Sequence, residues 1–223
     1  MSFYRTYIVL LGILLLGACK KDAYESYTRN ADEAYYNDSI GAYSIFEVNE
    51  IIFDDFSNSS DTFIYQVMEH NESYFYDNLG RKALKIDRYK RISDTSLWRY
   101  QNSCYSVNDR NMIERIEDNK RFIKLSFPIT VDAVWNSNAY NLDNAINVFY
   151  GLIDKPYNQD TFRFKKAISV ESTSINNNFR ERSFKEVYAR NVGLVFKNQV
   201  AIERNGSQWR GYKIRYKLIK HAY

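Results

Sequence analysis

GYKIRYKLIK, residues 211–220, alternates with a period of two: Tyr212, Ile214, Tyr216 and Leu218 fall on one side, Lys213, Arg215 and Lys217 on the other. Successive side chains of an extended chain point to opposite faces, so the run predicts a half-buried strand with a wet, basic face. Asn205-Gly206 separates it from a second alternating run, GLVFKNQVAIER (193–204). Asn-Gly between two such runs is a hairpin signal, because both residues accept the positive φ that a tight primed turn requires.

The same period recurs upstream. In DTFIYQVME (61–69), Phe63, Tyr65 and Val67 share a face, and the polar HNES ends the run. Further strand candidates are IFEVNEIIFDDF (45–56), SYFYD (73–77), KALKIDRYKR (82–91), LWRYQNSCYSV (97–107), NMIERIE (111–117) and RFIKLSF (121–127). INVFYGLID (146–154), TFRFKKAISVE (161–171) and SFKEVYAR (183–190) complete the set. Turn chemistry separates them at Asn78-Leu79-Gly80, Glu117-Asp118-Asn119 and Asn191-Val192-Gly193. NMIERIEDNKRFIKL and NNNFRERSFKEVYAR also carry some helical spacing, but their β-branched and aromatic content favours strands. Short strands with turns every ~8–15 residues predict an all-β fold. The expected architecture is a single antiparallel domain over residues 43–223, as a curved sheet, half-barrel, closed barrel or sandwich.

Composition agrees with one packed core. Aromatic residues make up 17% of the chain, with 20 Tyr, 14 Phe and only two prolines, which is unlike a disordered sequence. The net charge is +4, and basic and acidic residues interleave, so no nucleic-acid footprint is present. From Lys20 to Ala42 only Ile40 is aliphatic beyond alanine. Residues 19–42 are therefore expected to form a flexible tether, with a short helix around Asp32 to Tyr36.

The chain's start reads as an address. After Arg5, the apolar run Tyr7 to Ala18 holds 12 residues. As a helix it would reach about 18 Å, short of the roughly 30 Å hydrocarbon core. A positive start, a short apolar centre and small residues at the break have the layout of a secretory signal peptide, residues 1–18. The four residues that follow the run's centre, Leu16, Gly17, Ala18 and Cys19, resemble the lipobox of bacterial lipoproteins. That resemblance implies acylation at Cys19 and attachment to a membrane through lipid, because two acyl chains suffice for stable anchoring. Lys20 in the second mature position is similar to lipoproteins sorted to the outer membrane. Lys20, Lys21 and Asp22 resemble a fragment of the export signal of Bacteroidota surface lipoproteins, interrupted by Ala23, and leave periplasmic and surface orientations open.

FIKLSFPITVDAVWNSNAYN (122–141) and YARNVGLVFK (188–197) resemble passages in a set of Bacteroidota outer-membrane lipoproteins with no assigned activity. The resemblance implies a lineage and a compartment, and no mechanism. Asp38-Ser39-Ile40 resembles the O-glycosylation acceptor of Bacteroidota, which would place a glycan on Ser39.

Catalytic chemistry lacks parts. The two histidines, His70 and His221, exclude a histidine-rich metal site, and His70 reads as a solvated turn residue. GxSxG, HExxH, CxxC, P-loop and dinucleotide signatures are absent. Asp54 and Asp55 are adjacent, so a strand would point them to opposite faces. DDFSNSSD (54–61) is oxygen-rich but lacks the order of a calcium loop, and reads as a surface loop. Cys104 is left alone and reads as a half-buried core thiol. No catalytic residue, cofactor or metal is expected.

Trp98, Trp135 and Trp209 either line a concave pocket or form core and cross-strand ladders. The place to look for a ligand is WNSNAYN, where Trp135 and Tyr140 are flanked by the amides of Asn136, Asn138 and Asn141. The expected role is a lipid-anchored, non-catalytic binding or assembly component of the cell envelope, with an envelope protein, glycan or lipid as partner. The alternative is a carrier of hydrophobic molecules, with an apolar half-barrel cavity lined by Phe and Tyr.

Overall fold

The computed structural model describes residues 30–223. The lipobox, Cys19 and the signal segment lie outside these residues. Those described form β1 (Tyr43–Asp54), β2 (Ser59–Tyr76), β3 (Lys82–Arg91), β4 (Arg99–Asn108), β5 (Met112–Glu117), β6 (Lys120–Ser126) and β7 (Val134–Asn136). They continue as β8 (Asn147–Gln159), β9 (Phe162–Ser172), β10 (Ile175–Asn176), β11 (Arg180–Ala189), β12 (Gly193–Asn205) and β13 (Gln208–Ala222). One antiparallel sheet runs in the order β6-β5-β4-β3-β2-β1-β13-β12-β11-β9-β8-β7, with β10 paired to β11. The all-β expectation holds, and both stretches with some helical spacing are strands. Asn205-Gly206 makes the β12–β13 turn, with Gly206 at φ +64°.

The sheet curls until its two ends, β6 and β7, meet. Ile123 N–H donates to the Ser137 carbonyl at 2.9 Å, outside any regular ladder. Side chains complete the seam. Trp135 Nε1 donates to the Ile123 carbonyl at 3.1 Å, and Asn141 Nδ2 to the Arg121 carbonyl at 2.8 Å. The Tyr150 hydroxyl accepts from Ser126 N–H at 3.0 Å and donates to the Ser126 carbonyl at 2.6 Å. A free sheet edge leaves a row of main-chain donors and acceptors unpaired, and these bonds satisfy them at the β6 edge. The result is a nearly closed barrel.

Outward charges confirm the face assignment in β13. Lys213 pairs with Glu181 at 2.7 Å and Lys217 with Asp160 at 3.5 Å. Their neighbours Ile214 and Tyr216 join the apolar cluster built on Phe46, Val48, Tyr65, Val67 and Leu218. Among the described residues, no helix is long and apolar enough to cross a membrane.

Two sequence expectations need correcting. The stretch expected to be a tether is folded onto the barrel from Asn30 to Ala42: Glu33, Tyr35, Tyr36 and Ala42 are buried. A 3-10 turn, Ala31–Tyr35, is held by a capping box, in which the Asn30 side chain accepts from Asp32 N–H and Glu33 accepts from Asn30 N–H. Tyrosine supplies the apolar area that the aliphatic count missed: both rings enter a core with Ile113, Leu125, Val148 and Ile168. The segment lies across one mouth of the barrel: Asn108 at the end of β4, Asn191 in the β11–β12 turn and Asn71 at a bulge in β2 all bond to it. The second correction is His70, which lies within β2 rather than in a turn. The strand continues through a bulge between Asn71 and Ser73, where Asn71 Nδ2 donates to the carbonyls of Asn37 and Ser39 at 3.1 Å each.

Candidate functional site

Residues directly opposite in an antiparallel pair share a face, so the register fixes what points inward. Val48 faces Tyr216, and Tyr216 faces Lys197, which faces Glu186. On the other side, Glu69 faces Arg88 and Ser106 faces Arg115. These two sets meet across the interior. Lys124 of β6 reaches Glu186 of β11 at 2.9 Å, a pair 62 residues apart in the chain.

The interior of this barrel is therefore charged. Arg115 is 7% exposed and donates from Nη1 to Glu69 at 3.0 Å, while its Nε pairs with Glu117. Arg88 adds a 3.8 Å contact to Glu117 and donates from Nε to Asn102 at 2.8 Å. Glu186 is 1% exposed and has both oxygens occupied, by Lys124 and by the Tyr188 hydroxyl at 2.6 Å. A buried charge of this kind persists only when paired and hydrogen-bonded.

The carboxyl groups titrate accordingly. Burial alone would push Glu117 up, but Arg115, with Lys124, Lys197 and Arg88, outweighs it and holds the group well below the usual carboxylate range. Glu186 behaves alike: burial raises it, and Lys124, Lys197 and the Tyr188 hydroxyl lower it further. The folded pKa values are depressed, so the pairs contribute their full stability above the unfolded value near 4.3; the contribution declines below that value and is lost as pH falls through the lower folded ones. Unfolding free energies from urea titrations at pH 7 to 3 should be level at first and then fall below about pH 4.3, by up to about 1.4 kcal/mol per pH unit for each group. Glu186→Gln should make that slope shallower; an unchanged slope would mean that Glu186 is not ionised in the fold.

Two neighbouring cavities border this network. An inner one of about 70 Å³ is walled by Tyr36, Glu69, Arg88, Arg115, Glu186 and Lys197. A larger one of about 320 Å³ shares Glu117, Lys124 and Lys197 with it and is bordered by Lys120, Asp143, Gln199 and Tyr212. The N-terminal segment covers the mouth beyond the inner cavity; the larger cavity lies toward the opposite mouth, beside the Asp118 turn. Its volume is near the lower end of ligand sites, roughly 300–1,000 Å³.

The residues expected from sequence to bind a ligand lie elsewhere, at the seam. Trp135 spends its indole N–H on Ile123 and packs on Tyr150 with ring centroids 4.9 Å apart. Asn136 Oδ1 accepts from Asn138 N–H and Ile146 N–H, both at 3.0 Å. Asn138 is buried and donates to the Asn144 carbonyl at 2.7 Å; Asn141 serves Arg121. Tyr140 is half-exposed beside the Arg121 guanidinium, 5.6 Å from its ring. Of this group only Asn138 borders the larger cavity. Trp135→Phe should cost about 1–3 kcal/mol by leaving the buried Ile123 carbonyl unpaired, read as a shift in urea midpoint. A loss under about 0.5 kcal/mol, within the usual range of a surface change, would mean that the seam bond is not formed.

The other candidates are structural. Trp98 and Trp209 lie apart, under Arg91 at 4.4 Å and Arg204 at 5.6 Å, and neither lines the cavities. Cys104 is more buried than expected, at 2%, and its sulfur accepts from Arg115 Nη2 at 3.2 Å. Asp54 closes the β1–β2 turn by accepting from Phe56 N–H and the Ser57 hydroxyl. Ser39 is exposed. The interior charges were not singled out from sequence, because both halves of each alternation carry charge and their partners lie on distant strands.

No family model matches the chain, and no curated protein matches it. Among solved structures, a candidate exported protein of Bacteroides fragilis with a YmcC-like fold is similar over 83% of this chain and 98% of that one, at 12% identity and a TM-score of 0.35.

Proposed function

We propose that this chain is a lipid-anchored protein of the cell envelope that binds the polar part of a ligand inside its barrel and catalyses no reaction. The observation that carries the reading is the interior itself: an inner cavity walled by paired, buried charges, and a larger one beside it that shares Glu117, Lys124 and Lys197. Evolution of a barrel for stability alone would favour apolar filling, since replacing buried ion pairs with apolar groups is often neutral or stabilising. The same walls speak for a polar ligand over the apolar cargo of a hydrophobic carrier. The anchor rests on the lipobox at Leu16 to Cys19, and outer-membrane placement rests on Lys20. The absence of a nucleophile–base pair in the sequence motifs supports binding over catalysis.

Native mass spectrometry of the full chain, released from envelopes in mild detergent, tests the reading. The expected species carries acyl chains on Cys19 and a dissociable polar adduct. The adduct should vanish in the Lys124→Met, Glu186→Leu double variant, which removes one charge of each sign from the wall. An unmodified Cys19 would overturn the anchor. An adduct with no polar or charged group, a hydrocarbon or a sterol ester, would overturn the polar site.

A further inference from the structure

We propose that the interior site takes an anion, a carboxylate or phosphate group, and that Lys197 is the residue that receives it; this rests on the binding reading above. The walls are almost paired off. Arg115 has Glu69 and Glu117, Arg88 has Glu117, Lys124 has Glu186, and Lys120 has Asp143 at 2.8 Å. Lys197 borders both cavities and has no carboxylate within 4.0 Å among the described residues. Its ammonium stands 5.6 Å from the face of the Tyr216 ring and acts on Glu117 and Glu186 only through space.

Around the inner cavity, four cations, Arg88, Arg115, Lys124 and Lys197, meet three carboxylates, Glu69, Glu117 and Glu186. The larger cavity adds Lys120 against Asp118 and Asp143, so placement decides. Among the described residues, Lys197 is the lining cation without a carboxylate at contact distance, in a confined space where a small anion gains more than it would in water. A cationic ligand would instead have to displace a lysine or arginine from a carboxylate it already holds. Donors for the rest of the anion stand next to Lys197. Gln199 is two residues further along β12 on the same face, roughly 7 Å away. Its Nε2 donates to the Tyr212 hydroxyl at 2.8 Å, which leaves the hydroxyl proton free to point at a bound oxygen.

Pyridoxal phosphate is the probe: its aldehyde condenses with a lysine amine, releasing water, and borohydride fixes the imine by delivering hydride to its carbon. With the full chain, peptide mapping should show Lys197 labelled about tenfold faster by pyridoxal phosphate than by uncharged pyridoxal, the effect of a single favourable charge contact. Inorganic phosphate or acetate should slow that labelling selectively, and whichever protects at lower concentration names the group. Exposed Lys155 and Lys165 serve as internal references with no such preference. If Lys197 labels equally with both aldehydes, the cavity is open but does not select anions, and this inference fails while the binding reading stands. If Lys197 labels with neither, the interior is closed and both fail. Since the comparison is made on the unaltered protein, it does not depend on any variant folding.

Discussion

Arg115→Ala should lower the unfolding free energy by about 3–5 kcal/mol, because it strands two carboxylates in the barrel interior. Glu69 loses a bidentate partner and Glu117 loses its shortest ion pair, leaving it with Arg88 at 3.8 Å. For a domain of this size the loss corresponds to a fall in Tm of roughly 6–20 °C. Much of that cost belongs to the orphaned charge and not to the bond itself. Arg115→Met combined with Glu69→Leu should therefore recover most of the loss, since the pair leaves together and Glu117 keeps Arg88. Chemical denaturation of the single and double variants separates the two effects. A single variant that costs under about 1 kcal/mol, as an exposed pair would, contradicts a buried network.

Gly211→Ala should be comparably severe for a different reason. Gly211 lies in β13 between Phe53 of β1 and Ile202 of β12, so main chain flanks it on both sides. Its φ is +117°, and an added Cβ would stand 2.1 Å from the Ala201 carbonyl oxygen and 3.0 Å from Ile202 Cα. Neither neighbour can swing away as a side-chain end would. Backbone strain and the clash together should cost about 2–6 kcal/mol. Gly80→Ala provides the control: Gly80 also has positive φ, +71°, but nothing lies within 4 Å, so only the conformational term of about 1–2 kcal/mol remains. Equal losses at the two sites would mean that β13 does not pass between β1 and β12 as described.

The long strands were legible because period-two alternation is a local property. GYKIRYKLIK does place Tyr216 and Leu218 toward the core and Lys213 and Lys217 outward. Closure was not legible. It depends on a three-residue strand, β7, and on Trp135, Asn141 and Tyr150 reaching main-chain groups of β6, contacts that leave no periodic trace. WNSNAYN drew attention for the right chemistry, donors beside an aromatic ring, but those donors serve the protein's own carbonyls. The covered mouth could have been read: Asn30 and Glu33 stand at capping-box spacing, and Tyr35 and Tyr36 carry apolar area that an aliphatic count omits. The interior charges could not be read, because Lys124 and Glu186 become neighbours only when the sheet curls.

That curl is also what makes the interior a candidate site, since it turns ordinary strand charges into a buried, paired lining. The most direct test is the ionisation of the lining itself, by carbon-detected NMR of the glutamate side-chain carboxyls against pH. Glu117 and Glu186 should remain carboxylates through the range in which exposed glutamates take up protons, near pH 4.3. Protonation of either group at or above that pH, as burial without a cationic partner would produce, would contradict the charge-lined barrel.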